Sequence, residues 1–193
     1  MKTWPALRLA LGHWSFPCLV LFATAWAHPW LESTMARHMG IELPVLFVLG
    51  WLCARCAGPR LEQALRPWNA HGLPALLLAL LVTAFWMVPA ALDRAVLDWR
   101  VGELKVMSLV AAGITAGATW RTAGPIIQAF FVLNWSWMTL VAGLLYQESA
   151  QQVCSVYLID EQRSAGVAMV CWSVAGTLAW LHRAIANARF TIS

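Results

Sequence analysis

Long apolar runs alternate with short polar links along this chain. The first run, from Leu9 to Leu31, carries no Asp, Glu, Lys or Arg for about 23 residues, longer than a secretory signal's apolar segment and long enough to span a bilayer. It reads as a retained first helix, about Gly12 to Trp30, with Pro17 in its early turns and His28 at its end. A second helix is expected from about Arg37 to Cys56. Its uncharged part, Leu43 to Ala54, covers only about 12 residues, so spanning requires Glu42 and His38 to enter the outer layer of the membrane. A carboxylate placed one turn inside a membrane normally has a partner or a job.

Further along, helices are expected over Gly72 to Leu97, kinked at Pro89, and over Gly102 to Trp120, with Lys105 snorkelling to the surface. Two more are expected over Gly124 to Tyr146 and Ser164 to Leu181. The six spans are therefore 12–30, 37–56, 72–97, 102–120, 124–146 and 164–181. The links hold most of the charge: Arg55 to His71, the rim from Asp93 to Lys105, and Gln147 to Arg163. Gly113 and Gly117 make a GxxxG pair suited to close helix packing. No repeat, low-complexity tract or separate soluble domain interrupts the pattern, so residues 1–193 read as one all-α, polytopic six-helix domain.

Composition strengthens the class. Of 193 residues, 61% are hydrophobic and 11% charged, less than half the roughly 25% charge of a soluble domain. The 13 Trp suit rings at the membrane interfaces as well as bundle filling. A net charge of +4 reflects topology here rather than nucleic-acid binding. With both termini cytoplasmic, that side holds Lys2, Arg8, Arg55, Arg60, Arg66, Arg121, Arg183 and Arg189 against one acid, Glu62. The opposite side holds the other eight acids and five basic residues, the bias that the positive-inside rule expects. The expected location is a bacterial inner (plasma) membrane, multi-pass, in contact with the lipid bilayer.

Candidate chemistry concentrates in His28 to Glu42, HPWLESTMARHMGIE, on the outward side. Residues three and four apart share a helix face, so Met35, His38, Met39 and Glu42 are expected on one arc. Thioether and imidazole select copper, with carboxylate tolerating Cu(II), which makes Met35, His38 and Met39 the first candidate ligands. His28 would join across the hairpin, and Glu42 would bind or orient His38. The plainer alternative is that Met fills gaps while His and Glu at a helix mouth meet headgroups or water.

Haem b is the second ligand weighed, held by His28 and His38. His13, His71 and His182 lie toward the other face, where an inner haem or quinone pocket competes with a plain interfacial role. Cys53 and Cys56 form a lone CxxC at the inner end of the second helix. Packing competes there with metal transfer or disulfide exchange. Gln128 and Asn134 could line a transport path or bond neighbouring helices. No nucleophile triad, phosphate loop or paired-carboxylate motif is present, so no enzymatic activity is expected.

The run His38, Met39, Gly40, Ile41, Glu42 resembles the His-Met-x-x-His type motif of the CtaG-like integral-membrane cytochrome c oxidase assembly factors, with Glu42 in place of the second histidine. The likeness covers mainly the first two helices. FWMVPAALD and CSVYLIDEQ are similar to stretches in small membrane proteins related to that group. The resemblance implies a membrane factor that supplies copper to an enzyme of the respiratory chain. Subunits of a membrane redox complex would be its partners. The competing expectation is a structural or b-haem electron-transfer subunit of such a complex.

Overall fold

The computed structural model describes residues 15–149, 151–152 and 154–192, with side chains described from residue 16 to 187. Lys2, Arg8, His13 and the start of the expected first span lie outside the described residues, as does the Arg189 side chain. Among the described residues every regular element is helical. In chain order they are α1 (Ser15–Trp26), α2 (His28–Leu31), α3 (Met35–Ala57), α4 (Pro59–Leu65), α5 (Leu73–Trp86), α6 (Pro89–Leu97), α7 (Trp99–Thr119), α8 (Gly124–Glu148) and α9 (Ile159–Ile192).

Four stretches are long and apolar enough to cross a membrane: Met35–Ala57, Trp99–Thr119, Gly124–Glu148 and Ile159–Asn187. A fifth is possible by length if the pair Pro59–Trp68 and Ala70–Trp86, bent by 98°, is one broken span. The shorter α1 is apolar as well. These helices make the chain a multi-pass membrane protein with lipid around it. Large exposed indoles at helix ends, including Trp26, Trp30, Trp68 and Trp99, fit interfacial positions.

Proline and glycine set the breaks. The expected kinked helix from Gly72 to Leu97 is instead two helices. Val88 is extended at ψ 126°, because Pro89 pushes its predecessor out of the helical region and then serves as the first residue of α6. Gly58, at φ 67°, ends α3 and hands the chain to Pro59. Asp98 caps α7, its Oδ1 accepting from the Arg100 amide at 2.9 Å. No breaker follows Leu181, so α9 runs on well past the end expected from its apolar core.

Two tight pairs build the bundle. α3 crosses α7 at Gly50 and Gly113, each lying against the other helix's backbone, so that the GxxxG glycines of α7 seat Phe47 and Trp51. α8 lies along α9 through Gly143 and Gly166, again backbone to backbone. α9 meets the first turns of α3, and α5 packs on both α7 and α8. The main apolar core sits where these meet, around Met35, Leu46, Trp86, Leu92, Leu109 and Met169.

Candidate functional site

The start of α3 is not a plain α-helix. Its first turn, Met35–Arg37, is capped by Thr34, whose Oγ1 accepts from the Arg37 amide at 3.4 Å. His38–Glu42 then form a π turn, with the Leu43 amide donating to the His38 carbonyl. Pro44 supplies a local reason, since it has no N–H for the Gly40 carbonyl four residues earlier. That carbonyl accepts instead from the Trp172 indole of α9 at 2.7 Å. Such single-turn widenings often mark functional sites.

All four residues of the expected arc are buried. His38 and Glu42 turn into a buried polar cluster, while Met35 and Met39 join the apolar core. In the cluster, Lys105 Nζ lies 2.9 Å from Glu32 Oε1, 2.8 Å from Glu42 Oε1 and 3.3 Å from His38 Nε2. Lys105 therefore does not snorkel to the surface: its side chain is fully buried beside two carboxylates that offset its charge.

Tyr157, from the link before α9, closes the cluster on the far side. Its hydroxyl donates to the Glu32 carbonyl at 2.9 Å and lies 3.2 Å from His38 Nδ1. A phenol donates one proton, so with that proton on the Glu32 carbonyl, His38 Nδ1–H donates to the phenol oxygen. His38 Nε2 then accepts from the Lys105 ammonium. The histidine is thereby fixed as the neutral Nδ1–H tautomer. Burial, followed by the Glu32 and Glu42 charges, pushes the Tyr157 phenol up from its ordinary range and keeps the proton on the oxygen.

His28, half-buried at the start of α2, stands on the open side. Its Nε2 lies 3.4 Å from Glu32 Oε1 and 4.0 Å from Glu42 Oε1. One donor atom each from His28, Glu32 and Glu42 falls within 4.8 Å of the others, close enough to share a metal ion. Glu42 Oε2 is buried without a hydrogen-bond partner, with His38 Nδ1 3.7 Å away.

The structure thus gathers His28, His38 and Glu42 from the residues singled out in the sequence, and adds Glu32, Lys105 and Tyr157. It sets Met35 and Met39 beside the cluster in the apolar core. Glu32 belongs to the ligand-rich stretch from His28 to Glu42 but not to its helical arc, and Tyr157 stands in a polar link where nothing in its spacing assigns it a role. A buried glutamate in need of a cation was the available signal for Lys105.

The neighbouring link is held by Asp93, whose Oδ2 accepts from the Ser155 amide at 2.7 Å and hydroxyl at 2.8 Å. Cys154 lies buried there. Its thiol is pushed up to about 12, by burial first and then by Asp93. The remaining candidates lie elsewhere. His71 and His182 are exposed, and Cys53 and Cys56 lie at the opposite end of α3. Gln128 donates to the Trp120 carbonyl at 2.7 Å and Asn134 to the Phe130 carbonyl at 2.8 Å, so both amides serve backbone groups.

No protein-family model matches the chain, and no curated protein or solved structure gives a significant match.

Proposed function

We propose that this chain is an integral membrane copper-handling factor that holds the ion at an outward-facing site and passes it to a copper-dependent membrane enzyme during assembly. The observation that carries the reading is the convergence of His28, Glu32 and Glu42 donor atoms within 4.8 Å, beside the π turn that opens α3. Two carboxylates and an imidazole are an oxygen and nitrogen set, which suits Cu(II) better than Cu(I). The unpartnered Glu42 Oε2 adds a free acceptor. The likeness of His38 and Met39 to the CtaG-like motif supports copper as the cargo, ahead of other divalent ions that the same donors tolerate.

In this reading Lys105 is the resident counter-ion. Its ammonium already sits among Glu32, Glu42 and His38, where it neutralises the carboxylates and keeps them together between loads. Transfer is ligand exchange: an incoming partner offers better donors, and the ammonium holds the emptied carboxylates. The link carrying Tyr157 covers the site from the other side.

The topology follows the same reading. Six spans result if α1 crosses with the residues before it and the bent pair Pro59–Trp86 crosses as one. Both termini and the Arg55 to Arg66 link then face the cytoplasm of a bacterial inner membrane, leaving the cluster outside. The b-haem alternative draws less support. Both ring nitrogens of His38 are engaged, by Lys105 and Tyr157, and His28 shares the same small cluster.

The test is metal analysis, with an electron paramagnetic resonance spectrum, on protein purified gently from its membrane and reloaded with Cu(II). About one equivalent of copper is expected, with a nitrogen and oxygen signature. Affinity should fall by more than about tenfold in His28→Ala combined with Glu42→Gln. Full copper retention in that variant, or binding that disappears only in Met35→Leu with Met39→Leu, overturns the oxygen and nitrogen site.

A further inference from the structure

Below the π turn, α3 stands away from α8 and α9, and α9 meets it closely only at its outer start. The gap is a cavity of about 280 Å³ running from Met39, Met87 and Met169 at the cluster end to Trp51 and Trp120 at the other. Leu76, Leu109 and Ala116 form its buried floor. Val48 and Trp172 line it while remaining 50% and 42% exposed, which places its open side toward the lipid.

The contents of such a space are set by its chemistry. The hydroxyls on its wall are engaged, Thr83 with the Ala79 carbonyl at 2.8 Å and Thr139 with the Trp135 carbonyl at 2.8 Å. The Trp172 indole is held by Gly40. The interior suits a hydrocarbon rather than a polar ring. Its volume lies at the lower end for small-molecule pockets, which fits one chain and not two. Met39 to Trp51 is a rise of roughly 18 Å at the helical repeat, a little more than one leaflet of a roughly 30 Å hydrocarbon core.

Charge selects the end from which that chain enters. Arg55 lies four residues beyond Trp51, on the same face of α3, and Arg121 follows Trp120 directly; both are exposed. Arg60 and Arg66 are exposed in the same link region, with Glu62 the nearby acid. On the cluster side, by contrast, the eight acids, Glu32, Glu42, Asp93 and Asp98 among them, outnumber the five basic residues Arg37, Arg94, Arg100, Lys105 and Arg163. A negatively charged headgroup is favoured at the arginine end and disfavoured at the other.

We propose that this cavity holds one acyl chain of an anionic phospholipid, its phosphate resting at Arg55 and Arg121. The site is separate from the metal-binding cluster, so either reading can fail without the other.

The experiment is native mass spectrometry on detergent-purified, delipidated protein titrated with phosphatidylglycerol or phosphatidylethanolamine carrying the same chains. One retained phosphatidylglycerol is expected, bound at least about tenfold tighter than phosphatidylethanolamine. Ala79→Phe or Ala116→Leu, which fill the cavity from two walls, should weaken binding at least about tenfold while copper loading is unchanged. Arg55→Gln with Arg121→Gln should erase the headgroup preference. Should the filled variants not fold, phosphatidylglycerol bearing an acyl-chain diazirine, photolysed on the unaltered protein, should label peptides containing Met39 to Trp51 and Phe131 to Thr139. Equal binding of the two lipids, undiminished binding by a folded filled variant, or labelling confined to outward faces such as α1 overturns the proposal.

Discussion

Lys105 and Glu42 form an ion pair of 2.8 Å in which both side chains are removed from solvent. Their charges are worth keeping only together. Removing one partner of a buried pair strands the other and typically costs about 3–5 kcal/mol, whereas replacing both with neutral groups of similar shape is far milder. Lys105→Met is therefore expected to lower the melting temperature in detergent sharply, and Lys105→Met with Glu42→Gln to recover much of the loss. Glu32 Oε1, 2.9 Å from the same ammonium, limits the recovery. Additive losses in the double variant would show that the pair is not a unit. Copper adds a second readout. With the ammonium gone, a Cu(II) ion is the remaining cation able to balance Glu32 and Glu42, so metal should restabilise Lys105→Met more than the unaltered protein.

Tyr157 joins the link before α9 to the start of α3 through one oxygen. Tyr157→Phe keeps the ring and removes the contacts to the Glu32 carbonyl and His38 Nδ1. A buried group left unsatisfied costs about 1–3 kcal/mol, and that is the expected loss in the melting experiment. The His38 ring should also lose its fixed tautomer, which ¹⁵N shifts of histidine-labelled protein in detergent would report. An unchanged imidazole spectrum would mean that Lys105 alone sets the ring.

Much of this was legible in the sequence, and the exceptions share a cause. Uncharged runs located the long helices because a bilayer tolerates little else. Glu42 announced itself as a carboxylate that needs a partner. The identity of the partner was hidden, because Lys105 stands near a helix end where long side chains usually reach for water, and 63 positions separate it from Glu42 in the chain. A 3.6-residue period puts Met35, His38, Met39 and Glu42 on one arc, and all four are buried, but spacing does not tell which of them face polar partners and which join the apolar core. Tyr157 was silent for the simplest reason: a contact across 119 residues leaves no trace in spacing. Pro89 inside an apolar run suggests a kink, whereas with Val88 extended it opens a new helix.

Cys154 provides a test of the link that carries Tyr157. Its thiol is pushed up to about 12 from an ordinary value of 9.0. At pH 8 the reactive thiolate is then scarcer by about a thousandfold than in a free cysteine. Alkylation by a soluble maleimide should be correspondingly slow, and its rate should keep climbing from pH 9 to pH 11 rather than levelling off. The same raised value means that the protonated thiol favours the fold fully below about pH 9, and this contribution is lost as pH rises through about 12. Rapid labelling at pH 8, with a plateau near pH 9, would show that the link opens.

The crossing of α3 and α7 positions Lys105 against Glu42 and depends on the absence of two side chains. A Cβ on Gly50 would strike the Val110 carbonyl oxygen and come within 2.9 Å of the Ile114 amide nitrogen. One on Gly113 would strike the Phe47 carbonyl oxygen and lie 3.0 Å from the Trp51 amide nitrogen. Backbone cannot step aside as a side chain can, so the helices must separate. Gly50→Ala and Gly113→Ala are each expected to cost about 1–3 kcal/mol, the range for overpacking a close contact. Gly117→Ala, whose nearest contacts are 3.1 Å, should cost less. The separation also reaches the site, since Lys105 lies two turns from Gly113 along α7. Copper affinity should therefore fall with stability in Gly50→Ala and Gly113→Ala, and hold in Gly117→Ala. Thermal melts paired with copper titrations of the three variants would decide it, and a loss of equal size in all three would rule out this crossing as the element that aligns the pair.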